Sequence, residues 1–151
     1  MYYLQKKGGK MEIKELYTME QKSGVKIPLY SMSVPAGSPI NIEEHIDEMI
    51  DINEYLIKHP AATFFAKIRG HNLKEIGIFD NDIVVFDTAI RHQDGKVVIA
   101  ESNNELTIKI YRNINGTEYL QLSDSSFLPL RIEPYLQFDI IGVVTKVIHT
   151  L

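Results

Sequence analysis

Phe64–Asp87, FFAKIRGHNLKEIGIFDNDIVVFD, is the stretch whose reading decides the fold. Two β-rich runs, Thr63–Arg69 and Asp82–Asp87, flank a turn at Gly70-His71-Asn72-Leu73, and a second turn follows at Asp80-Asn81-Asp82. A strand that stops at glycine and hands its next polar side chains to a turn is a common way to present a reactive or ligand-facing group. The groups presented here are His71 and Asn72, and neither is a strong nucleophile.

Downstream, short β-prone runs alternate with turns: Lys96–Glu101, Glu105–Tyr111, Glu118–Ser123 and Asp139–His149. Asp94-Gly95, Asn103-Asn104 and Asn115-Gly116 separate them, and Asn and Gly tolerate the positive φ of tight hairpins. Pro129 and Pro134 bracket an irregular stretch before the last run. This spacing predicts a mainly β fold: a small, strongly bent antiparallel β domain.

Upstream, Ile46–His59 reads as the one helix, from a partly apolar stripe of Ile46, Met49, Ile50, Asn53 and Ile57 that Pro60 ends. Asp51 followed by Glu54 reads as a capping pair, which would delay the ordered start to Ile52. Residues 1–45 are broken by Gly8, Gly9, Gly24, Pro28, Pro35, Gly37 and Pro39, and read as an extended N-terminal arm with a short strand over Val25–Met32. The expected organisation is therefore an arm over residues 1–45 and a β domain over 46–151.

At 151 residues the chain fits one ordinary domain. A net charge of −4 argues against direct, phosphate-neutralising DNA binding. The absence of cysteine excludes disulfides, thiol catalysis and Cys-based zinc sites. No apolar run approaches the ~20 residues needed to cross a bilayer, and MYYLQKKGGKM lacks the apolar core of a secretory signal. A cytoplasmic, soluble protein is expected.

Several groups invite a chemical reading. Glu105–Tyr111 alternates, with Leu106, Ile108 and Ile110 on one face and Thr107, Lys109 and Tyr111 on the other. Lys109 is either a solvated lysine on a polar face or a base in a partly desolvated cleft, where burial would favour the neutral amine. His45, His59, His71, His92 and His149 are scattered, without metal-ligand spacing. Asp80 and Asp82 fit part of a calcium loop, but the glycine and distal glutamate do not follow, so turn-forming carboxylates are the better account. Ser102, Ser123, Ser125 and Ser126 lie in or beside turns without an activating motif. Val34–Ser38, between two prolines, reads either as a linker turn or as an accessible extended segment of the kind proteases bind.

Five stretches together, PLYSMSVPAGSP, IDINEYLIKHPAATFF, GIFDNDIVVFDTAI, GKVVIAESNNELTIKIY and FDIIGVVTKVI, make the chain resemble the LexA/UmuD family of self-cleaving serine–lysine peptidases, with UmuD the closer match. The likeness runs from about Ile27 to the C-terminus. With no room for a winged helix before the core, the expectation is a UmuD-like chain rather than a LexA-type repressor. The resemblance implies a serine in a Gly-Asp-Ser-Met turn that attacks an Ala-Gly or Cys-Gly bond of the protein's own arm, with a strand lysine as base. It places the scissile bond on Ala36-Gly37, the base on Lys109 and the nucleophile on Asn72, with Gly70, His71 and Leu73 lining the cleft.

An amide offers no ionisable oxygen, and losing the nucleophile of a jointly acting unit costs up to roughly a million-fold in rate. The resemblance thus implies a pseudo-peptidase without metal or cofactor. It would be a homodimer, an accessory subunit of a UmuC-type error-prone polymerase, and responsive to the RecA filament. The alternatives are a self-cleaving peptidase using another hydroxyl, Ser102 or Ser125, and a repressor-derived dimerisation module.

Overall fold

A computed structural model describes residues 12–18 (as backbone), 24–30, 46–122 and 129–151. These hold ten strands, β1 (Glu12–Thr18), β2 (Lys26–Tyr30), β3 (Ile46–Asp51), β4 (Thr63–Arg69), β5 (Ile83–Asp87), β6 (Val97–Ser102), β7 (Glu105–Ile114), β8 (Thr117–Gln121), β9 (Leu130–Arg131) and β10 (Phe138–Ile148), with one α-helix, α1 (Ile52–Leu56). The chain divides into two compact units, residues 20–60 and the remainder.

The larger unit is an eight-stranded sheet in the order β1-β4-β5-β10-β6-β7-β8-β9, antiparallel throughout. The mainly β, antiparallel reading therefore holds. The turns form where the residues permit them: Asn103 and Asn104 (φ 52° and 61°) close β6 onto β7, and Asn115-Gly116 (φ 52° and 82°) closes β7 onto β8. Bulges interrupt β10 between Ile140 and Gly142 and again between Val144 and Lys146, and bulges raise local twist. At the first of them Gly142 is the residue the backbone demands. A Cβ there would lie 2.9 Å from the Asp87 carbonyl oxygen and 3.0 Å from the Phe86 ring.

Alternation then fills both faces of the sheet. On one, Ala66 and Ile68 of β4, Val84 and Phe86 of β5, Ile99 of β6 and Ile108 of β7 pack with Leu73 and Ile78 from the β4–β5 connection. On the other, Val98, Ala100, Tyr111, Leu120 and Val143 form a second cluster. The sheet bends far enough for β1 to approach β7, although the two are not neighbours in strand order.

In the smaller unit the expected helix over Ile46–His59 is corrected. Ile46–Asp51 is a strand, paired antiparallel with β2, and the helix covers only Ile52–Leu56. The Asp51 carboxylate explains the switch. Its Oδ1 accepts from Asn53 N–H at 2.8 Å and Glu54 N–H at 3.4 Å, and its Oδ2 from Gly24 N–H at 3.1 Å. The cap starts the helix where Asp51 followed by Glu54 indicated. Before it, Ile46, Met49 and Ile50 carry helical spacing, but the hairpin ladder to Lys26–Tyr30 takes the segment instead. The helix ends at Leu56, with extended backbone at Ile57 (φ −120°, ψ 103°), before Pro60 is reached.

Candidate active site

β4 runs out at Arg69, and Gly70 takes φ 111°, a left-handed conformation that side-chain-bearing residues rarely adopt. The Asp80 carboxylate fixes this corner, accepting the Gly70 N–H at 2.7 Å across the β4–β5 connection. The hairpin also closes through the backbone, Ile68 N–H to the Asp82 carbonyl at 2.8 Å and Asn81 N–H to the Ile68 carbonyl at 2.9 Å. Leu73, fully buried, pins the far end of the turn, and its carbonyl accepts from Ile76 and Ile78 N–H, both at 3.1 Å. His71 and Asn72 stand exposed between these anchors.

Asp82 is buried as well. It accepts from Phe79 N–H at 2.8 Å and pairs with His149 Nδ1 at 2.5 Å, tying the end of β10 to the same connection. The two aspartates are thus turn-building carboxylates, each with its own backbone N–H to hold. Among the described residues no three His, Asp or Glu side chains converge in a manner suited to a metal ion.

Lys109 sits mid-strand in β7, opposite Val98 of β6. Its face of the strand is drier than the alternation alone suggests. Lys109 is half-buried, Tyr111 beside it is 3% exposed, and the Thr107 hydroxyl is buried without a hydrogen-bond partner among the described residues. Tyr111 donates to Glu118 Oε1 at 2.6 Å and meets the His92 ring edge-on at 4.6 Å. Burial first, and the Glu118 carboxylate second, push the Tyr111 phenol above its ordinary value of 10.0.

Leu73, next to Asn72, and Ile108, next to Lys109 in sequence, belong to the same buried cluster, while Lys109 itself is on the opposite face of β7 from Ile108. Asn72 and Lys109 each have an interaction partner. Ser102 is placed elsewhere. It pairs with Glu105 whereas Lys109 pairs with Val98, which separates them by roughly 13 Å along the ladder. Ala36-Gly37 and Ser125 lie outside the described residues. What the residue pattern did not reveal is the tie from Asp80 to Gly70. Its one signal was the turn-forming Asp-Asn-Asp itself.

A family model described as Peptidase S24-like matches residues 28–145. Protein SamA of Salmonella typhimurium is 37% identical over 127 residues, which cover 81% of this chain and 84% of that protein. Protein ImpA of Escherichia coli is 36% identical over 123 residues, 81% of this chain and 83% of that protein. The LexA repressor of Colwellia psychrerythraea is 32% identical over 118 residues, which are 78% of this chain but 56% of the repressor.

Proposed function

The chain belongs to the Peptidase S24-like family, of LexA/UmuD type, and from that premise we propose that it is a UmuD-like protein of the DNA-damage response whose peptidase chemistry is lost or very slow. One observation carries the reading. The turn that follows β4 is built and anchored, yet the residue at the nucleophile position is Asn72. Lys109, half-buried on β7, holds the base position, and an amide gives it no hydroxyl to deprotonate. The cleft then serves as a binding groove for the Val34–Ser38 segment around Ala36-Gly37, which is not cut.

In this reading the protein is a cytoplasmic homodimer that binds a UmuC-type error-prone polymerase and answers to the RecA filament. The matches to SamA and ImpA, at 37% and 36% identity, support a UmuD-like role. In the described residues no helix is long and apolar enough to cross a membrane. Mixing the purified chain with its UmuC-type polymerase should give a complex that co-elutes in size-exclusion chromatography at micromolar concentration. A chain that elutes alone under those conditions contradicts the accessory role.

A further inference from the structure

The free edge of the main sheet would be β4, were it not covered by β1, a strand that comes from the far side of residues 20–60 in sequence. An uncovered edge offers a row of unpaired N–H and C=O groups to any extended segment. β1 is matched to that edge in a specific way. Glu12 is the register partner of Arg69 and Glu15 of Lys67, so each carboxylate-bearing position faces a cation-bearing one. The apolar positions follow the same register, Ile13 with Ile68 and Leu16 with Ala66. A bulge between Ile13 and Glu15 makes the spacing work. The ladder ends at Arg69, one residue before Gly70 and the turn that carries Asn72, and β1 also approaches β7, the strand that carries Lys109.

We propose that the β4 edge is a strand-docking site for an extended acidic–apolar segment of the pattern Glu-Ile-Lys-Glu-Leu, filled in this chain by its own residues 12–18. The recognition elements are the backbone ladder and the cations Lys67 and Arg69. The occupant is held by this ladder, since its covalent connection to β4 passes through the whole of the other unit. The same segment supplied by a second chain therefore competes for the edge, at a disadvantage set only by the effective concentration of the tethered copy. Docking at this edge makes no use of the chemistry at Asn72 and stands apart from the peptidase reading.

Amide hydrogen exchange on the full chain tests it. In Glu12→Lys/Glu15→Lys both matched positions become repulsive, and the β4 amides that face β1 should exchange roughly tenfold faster, while β6 and β10 stay protected. Adding the free peptide KMEIKELYTME (residues 10–20) should return that protection, and the same peptide with Glu12 and Glu15 changed to lysine should not. The compensated chain, Glu12→Lys/Glu15→Lys/Lys67→Glu/Arg69→Glu, should be protected without any peptide. Three results overturn the proposal: β4 protection unchanged in the charge-reversed chain, protection lost but not returned by the peptide, or a compensated chain as open as the uncompensated one.

Discussion

The Gly70–Leu73 turn and β7 carry the two halves of the candidate site, and they are held in different ways. β7 is fixed along its whole length by ladders to β6 and β8, with Ile108 in one core cluster and Tyr111 in the other, so Lys109 is positioned by the sheet itself. The turn is anchored at its ends, by Asp80 on Gly70 and by the burial of Leu73, and the two residues between them are exposed. Lys109, at the proposed base position, is therefore set within a two-sided ladder, whereas Asn72, at the proposed nucleophile position, is an exposed turn residue. On the proposed reading, Asn72 with Lys109 is a scaffold that keeps the base position without a hydroxyl at the nucleophile position.

Ways to break that contrast follow in order of expected effect on stability. Leu73→Ala empties the anchor under the turn, a fully buried position, and should destabilise by about 2–5 kcal/mol in denaturant unfolding. Gly142→Ala drives a methyl into the Asp87 carbonyl and the Phe86 ring, and should cost about 1–3 kcal/mol by the same measurement. Asp80→Ala should cost about 1–2 kcal/mol and speed amide exchange at Gly70 selectively, with the β6–β7 ladder unaffected.

On the β7 side, Tyr111 sharpens the comparison through pH. Its phenol is raised in the folded protein, so ionisation favours the unfolded chain, and stability should fall as pH rises above about 10. Tyr111→Phe should flatten that alkaline slope in thermal melts. Asn72→Ser lies at the other extreme: an exposed turn position, it should shift stability by no more than about 0.5 kcal/mol.

Most of the larger unit was legible because its strands obey simple rules. Thr63–Arg69 is a strand with the expected bounds, and Asn103-Asn104 and Asn115-Gly116 turn where Asn and Gly permit positive φ. β1 was hidden by its own bulge. Ile13 and Leu16 stand three apart in sequence yet pair with Ile68 and Ala66, two apart on β4, so the period-two signal is erased. β3 was hidden by an accidental helical spacing that a distant partner overrode, and only its Asp51 cap was readable locally. At the site, the identities of Asn72 and Lys109 were plain, but the dry setting of Lys109 was not. It depends on the neighbours Thr107 and Tyr111, and the alternation put these on a polar face.

The central claim is that the scaffold for self-cleavage is present and its nucleophile absent. Intact mass spectrometry tests it most directly, on the wild-type chain and Asn72→Ser after long incubation at about pH 10, where an ordinary lysine amine is substantially neutral. The account predicts an unchanged wild-type mass and, in Asn72→Ser, slow loss of the segment ending at Ala36, abolished by Lys109→Ala. Cleavage of the wild-type chain at Ala36-Gly37 would contradict it, as would a folded Asn72→Ser protein that never cuts.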